Sequence, residues 1–358
     1  MNKFLSEKFR IISLISMIMV VFLHSYNMTV KFNSGNIIFN NGYSFFVQNF
    51  LSHGITRIAV PIFFCISGYL FYLNFSGGID QFVLKYRKRA ETLLLPYLLW
   101  SIWGLFFYFI IQILPQAKNF FTKELIENYS FAKILNTIFL NPIPHQLWFV
   151  RDLLVFVILS PLLYWLIKYL RLIALLILFI IWLGFFNFSF LLFSNESILF
   201  FILGAYLALY KNDFILKKRD QKFYWIFTIL WILIVFLKTS LTQLNSNQII
   251  LLSLLHKISI LFGIIAIWSS YDIVMRNKIN TNKTIYDIST YSFFIYAFHE
   301  PILTIIKKGI FYIAGTNELI SMFTYFLGPI ITIVTSILLA YFIKRISPKI
   351  YGLITGGR

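Results

Sequence analysis

Charge is scarce in this chain of 358 residues: Asp, Glu, Lys and Arg make up 12%, against 59% hydrophobic residues. A soluble domain of this size needs more charge to cover its surface, so that class is excluded. Cysteine is almost absent. The one thiol, Cys65, lies in an apolar run, so no intrachain disulfide forms and a cysteine-based metal site has no ligands. The apolar segments lack the strict alternation of a transmembrane β-barrel. No HExxH, Walker A or GxSxG pattern occurs, which leaves zinc-protease, ATP-driven and serine-hydrolase mechanisms without support. The five histidines are scattered and no metal is expected. Internal repeats and low-complexity linkers are also lacking, so residues 1–358 read as one membrane domain. The first apolar run is too long for a cleavable signal, and Ser25-Tyr26-Asn27 is not a small-residue cleavage site.

What is present is a series of apolar segments. Ten candidate spans fall near residues 11–30, 54–75, 92–114, 147–167, 172–190, 193–210, 223–240, 249–271, 289–306 and 320–343. They predict an all-α, polytopic membrane helix bundle. Basic residues outnumber acidic ones, 31 to 13, for a net charge of +18. Nucleic acid is a poor explanation, because Lys and Arg collect in cytoplasmic loops of membrane proteins. With the N-terminus inside, alternation places Lys3, Lys8, Arg10, the Lys85–Arg89 cluster, Lys168, Arg171, Lys217, Lys218, Arg219, Lys344, Arg345 and Lys349 on the inner side. Both termini are then cytoplasmic. The long outer loop, residues 115–146, carries Phe121, Leu125, Ile126, Leu135, Ile138 and Phe139 at helical spacing. That spacing suits either an amphipathic helix on the outer membrane surface or a loop packed on the bundle.

Several costly residues share the outer half of this bundle. His24 lies in the first span, Arg57 begins the second, and Arg151 and Asp152 begin the fourth just after Trp148. His256 and Lys257 lie in the eighth, and His299 and Glu300 in the ninth. Ionisable groups within a membrane face the interior or a wet cavity and mark functional sites, so a polar chamber opening outward is expected. Plainer roles stand beside this one: a structural Arg151–Asp152 ion pair, a packed His256, a snorkelling Lys257. Pro61 removes the amide that would bond the Arg57 carbonyl, and Pro301 does the same for the Ala297 carbonyl, so both turns should open.

Taken in order, these residues resemble the acyltransferase-3 family of integral membrane O-acyltransferases. The match runs through VVFLHS with His24, RIAVPIFFCISGYLF at 57–71, KYRKRAETLLLPY at 85–97, LWFVRDLL at 147–154 and FFIYAFHEPIL at 293–303. Its most specific part is the FFxxSGYL stretch together with His24. The resemblance implies transfer of an acyl group, often acetyl, from cytoplasmic acyl-coenzyme A to a hydroxyl of an extracytoplasmic polysaccharide or lipid-linked sugar, in a bacterial cytoplasmic membrane. It maps the family histidine onto His24 and the Ser-Gly-aromatic-Leu motif onto Ser67, Gly68, Tyr69 and Leu70. Ser13 stands where family members often carry a basic residue, with Arg10 one turn earlier. The family's Arg-x-x-Arg spacing falls here on Lys85 and Lys88, and Thr92 follows Arg89 by three.

On this reading His24 is the general base or forms an acyl-histidine. Arg57 or Arg151 stabilises the oxyanion or orients the acceptor, and Glu300 or Asp152 orients an imidazole. Ser67, Tyr69, Trp148 and His299 line the acceptor site. Arg10, Lys85, Arg87, Lys88 and Arg89 cradle the donor's phosphates, although the positive-inside bias alone also accounts for that cluster. A transporter or flippase using the same chamber is the competing function. No soluble acyltransferase domain is expected beyond the tenth span.

Overall fold

The computed structural model describes all residues except 1–2, 33–34, 40, 115–120, 122–123, 185–192, 212–214, 216, 218–219, 245–246, 275–282 and 358. Lys218, Arg219 and the end of the fifth expected span lie outside the described residues. Helices dominate. Their order is α1 (Lys3–Ser25), a short hairpin of β1 (Thr29–Phe32) and β2 (Gly35–Ile38), α2 (Tyr43–Gln48), α3 (Ala59–Tyr72), α4 (Ile79–Arg89), α5 (Leu95–Ile113) and α6 (Phe131–Phe139). Then come α7 (Trp148–Ile158), α8 (Ser160–Leu170), α9 (Leu172–Leu183), α10 (Asn195–Tyr210), α11 (Gln221–Gln243) and α12 (Ile249–Val274). The last four are α13 (Lys283–Ser289), α14 (Ser292–Ala314), α15 (Glu318–Ile346) and α16 (Pro348–Thr355).

Each of the ten expected spans contains a helix. Among the described residues, six helical runs are long and apolar enough to cross a membrane, and seven if α7 and α8, bent by 67°, form one broken span. Helices α9 and α10, with 12 and 16 residues, fall short of the roughly 20 that a hydrocarbon core requires. Helix α14 carries Glu300, Lys307 and Lys308. The chain is thus an all-α membrane helix bundle.

The first three spans differ from expectation, the third running from Ile79, thirteen residues early, through a π-helical turn (Ala90–Leu94). The first helix ends at Ser25, not near residue 30, because Thr29 begins the hairpin. The second starts at Tyr43, eleven residues early, and runs to Tyr72 through a π-helical turn (Asn49–Gly54) and a 3-10 turn (Ile55–Ile58). The 3-10 turn ends three residues before Pro61, where the missing amide was expected to open the helix. Such breaks re-aim side chains within an apolar helix, here His53 and Arg57.

The chain forms two compact units: residues 1–20, 53–89 and 152–290, and residues 21–52, 90–151 and 291–358. In the first, α3 and α10 touch backbone to backbone. A Cβ on Gly68 would lie 2.0 Å from the Phe201 carbonyl oxygen, and one on Gly204 would lie 1.9 Å from that of Cys65. Close approach of small residues is how membrane helices gain packing without a hydrophobic drive. The glycine of the Ser-Gly-Tyr-Leu motif therefore builds the fold. At the start of α1, Lys8 and Asp272 form a fully buried ion pair at 2.8 Å, with the Lys8 ammonium 4.0 Å from the Trp268 ring centre. The positive-inside reading of Lys8 had missed this pair.

In the second unit, α14 packs on α15, and α16 returns to α5, where Trp100 Nε1 donates to the Ile354 carbonyl at 2.9 Å. Of the two alternatives for the outer loop, helix α6 supplies a short amphipathic helix that takes in Leu135, Ile138 and Phe139. It leaves Phe131, Leu135 and Phe139 exposed at intervals of four, one apolar stripe along its face. Its last carbonyls are satisfied from the unit: Tyr97 donates to Phe139 at 2.8 Å and Arg151 to Leu140 at 2.7 Å.

Candidate active site

The second unit fixes the end of α1 from four directions. Ser52 donates to the Phe22 carbonyl at 2.9 Å, and Lys307 Nζ donates to the His24 carbonyl at 2.5 Å, so two of the last-turn acceptors are met. Ser25 donates to the Tyr325 carbonyl at 2.8 Å. Two residues on, Asn27 enters a buried amide–hydroxyl network. Gln48 accepts from the Asn27 amide N–H at 3.0 Å, its Nε2 donates to the Asn27 side chain at 3.0 Å and to Ser44 and Ser321 at 3.1 Å each, and Ser321 donates to Asn27 Oδ1 at 2.7 Å. A satisfied buried network of this kind specifies one arrangement of its elements. Its effect here is to hold His24 at a defined place.

Helix α14 brings the partner of His24. At Glu300 the backbone leaves helical geometry (φ −106°, ψ 134°), one residue before Pro301. The Ala297 carbonyl that Pro301 orphans is taken by Gln146, whose Nε2 donates to it at 2.9 Å and to the Glu300 carbonyl at 3.0 Å. Tyr296 in turn donates to the Gln146 carbonyl at 2.6 Å. A proline break in an apolar helix survives when side chains meet the freed backbone groups, and Gln146 does so. The expected opening at Pro301 is therefore present, and the residue that stabilises it is one sequence reading had passed over.

His299 sits at this break, fully buried, its ring centre 5.2 Å from that of His24 and turned by 63°. Its Nδ1 contacts the carbonyls of Tyr296 and Ile295 at 2.8 and 3.1 Å. Both partners only accept, so Nδ1 carries the proton and Nε2 presents a lone pair. That Nε2 is buried and has no hydrogen-bond partner among the described residues. His145, exposed, also lies near His24, at 6.2 Å between ring centres. It is placed there because Gly104 on α5 leaves room for Pro144; a Cβ at Gly104 would lie 2.3 Å from the proline ring. Among the described residues no trio of His, Cys, Asp or Glu is arranged to hold a metal. The Glu300 carboxylate accepts from the Thr304 amide and hydroxyl and lies within electrostatic range of Lys307 and Tyr108. Lys307 and His145, like Gln146, had given no signal in the sequence beyond being polar.

The remaining expected residues are placed as follows. Arg151 caps α6, and Trp148 begins α7 with its ring 6.3 Å from that of Phe149. In the first unit, Asp152 is buried, Tyr69 is buried with its ring 5.2 Å from that of Phe9, and Ser67 is half-buried on α3. Arg57 belongs to this unit too, among His53, Lys238, His256 and Glu196. Of the basic donor cluster, Lys85 donates to the Phe71 carbonyl at the end of α3, and Arg89 lies over the Phe71 ring at 5.9 Å. Arg87 and Lys88 are exposed. The Arg10 guanidinium covers the Tyr286 ring at 4.1 Å.

Two neighbouring imidazoles, with a carboxylate and a lysine within electrostatic range of each other, are groups of the kind that can exchange protons. The family model described as an acyltransferase domain, acyltransferase-3, matches residues 11–345. The chain belongs to this family. The acyltransferase is 27% identical over 326 residues to the succinoglycan biosynthesis protein ExoH of Rhizobium meliloti (strain 1021), an alignment covering 89% of this chain and 84% of that protein. No solved structure matches it. It is a membrane acyltransferase by family and by its apolar helices.

Proposed function

We propose that this acyltransferase moves a short acyl group, acetyl in the first instance, from cytoplasmic acyl-coenzyme A to a hydroxyl of an extracytoplasmic polysaccharide or lipid-linked sugar, with His24 as general base. The observation that carries the proposal is the His24–His299 pair, held at the end of one helix and the break of another. The similarity to a protein named for succinoglycan biosynthesis supports a polysaccharide acceptor. The family match crosses both compact units, which supports reading them as one catalytic domain in a bacterial cytoplasmic membrane. Ten spans with both termini inside remain our topology, with α9, α10 and α14 counted among them. Lys8 and Asp272 meeting at 2.8 Å agrees with it, since that topology puts both on the inner side.

In the proposed step, one ring nitrogen of His24 donates to His299 Nε2, which leaves the other unprotonated. That nitrogen takes the proton of the acceptor hydroxyl as its oxygen attacks the thioester carbonyl; the carbon–sulfur bond then breaks and the coenzyme A thiolate takes that proton from the His24 imidazolium. Glu300 offsets the charge that develops on the imidazole. Arg87 and Lys88, both exposed, are the groups of the basic cluster we assign to the donor's phosphates.

Mass spectrometry of the surface glycan with and without this chain tests the proposal. An acyl mass that appears only with the chain is expected. Identical glycan masses refute it, and glycan that stays inside the cell while its acylation is unchanged favours transport.

A further inference from the structure

The first unit holds an ionisable cluster that the proton chemistry at His24 does not use. It is built on the irregular turns before α3, the start of α10, the later part of α11 and the first half of α12. Arg57 lies within electrostatic range of His53, Lys238, His256 and Glu196. Lys238 Nζ donates to the His53 carbonyl at 2.6 Å and meets His256 Nδ1 at 3.3 Å. An ammonium only donates, so His256 Nδ1 accepts and the imidazole is neutral. Lys257 donates to the carbonyls of Leu183 and Gly184 at 3.3 and 3.1 Å, the end of α9. Glu196 accepts from Trp182 Nε1 at 3.3 Å and is the one carboxylate of the group.

The cluster therefore carries three cations against a single anion, inside apolar helices. Charges at that depth are retained when something compensates them. Lys238 and Lys257 spend their donors on carbonyls. Arg57 does not: it is half-buried, and no described residue supplies its guanidinium with a hydrogen-bond acceptor or a salt bridge. A planar fork of five donors beside a second cation is the arrangement that takes an oxyanion in two parallel hydrogen bonds. We propose that Arg57 and Lys238 form a binding site for one oxyanion group, a phosphate or carboxylate, carried either by a polar substrate or by an anionic lipid headgroup. The site takes over Arg57 from the oxyanion role suggested by sequence and gives the π and 3-10 turns before α3 a purpose: they aim His53 and Arg57 at one point.

Binding, not turnover, tests this, so the result is independent of acyl transfer. The purified full chain is titrated with inorganic phosphate in neutral detergent against chloride at matched ionic strength, with thermal unfolding as the readout. In parallel, native mass spectrometry counts phosphatidylglycerol retained from phosphatidylcholine nanodiscs containing it. Saturable binding is expected in one arm, phosphate pointing to a polar substrate and phosphatidylglycerol to a lipid headgroup. It should weaken at least tenfold in Arg57→Gln and Lys238→Met and persist in Lys238→Arg and in the half-buried Lys133→Met, a lysine outside the cluster. Glu196→Gln, which removes the competing carboxylate, should tighten it. Absence of saturable binding to the unsubstituted chain in both arms overturns the site, whatever the variants do. So does binding that survives both cation substitutions or is not tightened by Glu196→Gln.

Discussion

Replacing Gln146 by Met should cost the acyltransferase more activity than stability. Gln146 is buried and donates two hydrogen bonds, at 2.9 and 3.0 Å, to the carbonyls that the Pro301 break leaves open. Methionine keeps the shape and removes both. An unmet buried acceptor costs about 1–3 kcal/mol, so the loss of two bonds approaches about 4 kcal/mol. One term acts the other way. Gln146 Oε1 is itself buried with no partner among the described residues, and the substitution removes that orphan. The net loss should be about 2 kcal/mol, read as a lower midpoint of thermal unfolding in detergent. Activity should fall further. His299 takes its orientation from the carbonyls of Ile295 and Tyr296, one turn before the break, and a reacting group misplaced by about 1 Å costs on the order of 100-fold. The assay is acyl incorporation into surface glycan, normalised to folded protein in the membrane. Wild-type incorporation per folded molecule would refute the claim that the break positions His299.

Other outcomes follow from the packing and the charges. Gly68→Leu and Gly204→Leu each place a side chain in a neighbouring backbone, so neither variant should accumulate folded in the membrane; a monodisperse peak on detergent size-exclusion at the wild-type volume would contradict this. Lys8→Met should destabilise by about 3–5 kcal/mol by stranding Asp272, and the double variant Lys8→Met, Asp272→Leu should recover much of it; a double variant no better than the single one would show that the pair is not coupled. Gly104→Val should lower acyl transfer by displacing Pro144 and with it the His145–Gln146 segment, with little change in α14 itself, which hydrogen exchange on that helix can check.

The sequence made part of this site legible. His24 stood out as an imidazole in an uncharged run, and Pro301 announced an open turn beside His299 and Glu300, because both features are local: one is a polar residue where apolar ones belong, the other a missing amide. The groups that complete the site are not local. Gln146 reads as an ordinary loop amide until α14 supplies its two acceptors, Lys307 as an interfacial lysine until the end of α1 supplies a carbonyl, and Lys8 as a cytoplasmic charge until Asp272 appears across 264 residues. The early start of the second span was hidden for a different reason. Asn49, Ser52 and His53 break the apolar pattern there, and it is tertiary bonds, Ser52 to the Phe22 carbonyl among them, that hold the run helical.

The most direct test compares surface glycan from cells carrying the unsubstituted chain with glycan from cells carrying His24→Gln at equal membrane abundance. A general base contributes about 10²–10⁴-fold, so the account predicts an acyl mass on the first glycan and none detectable on the second. Equal acylation of the two would contradict it.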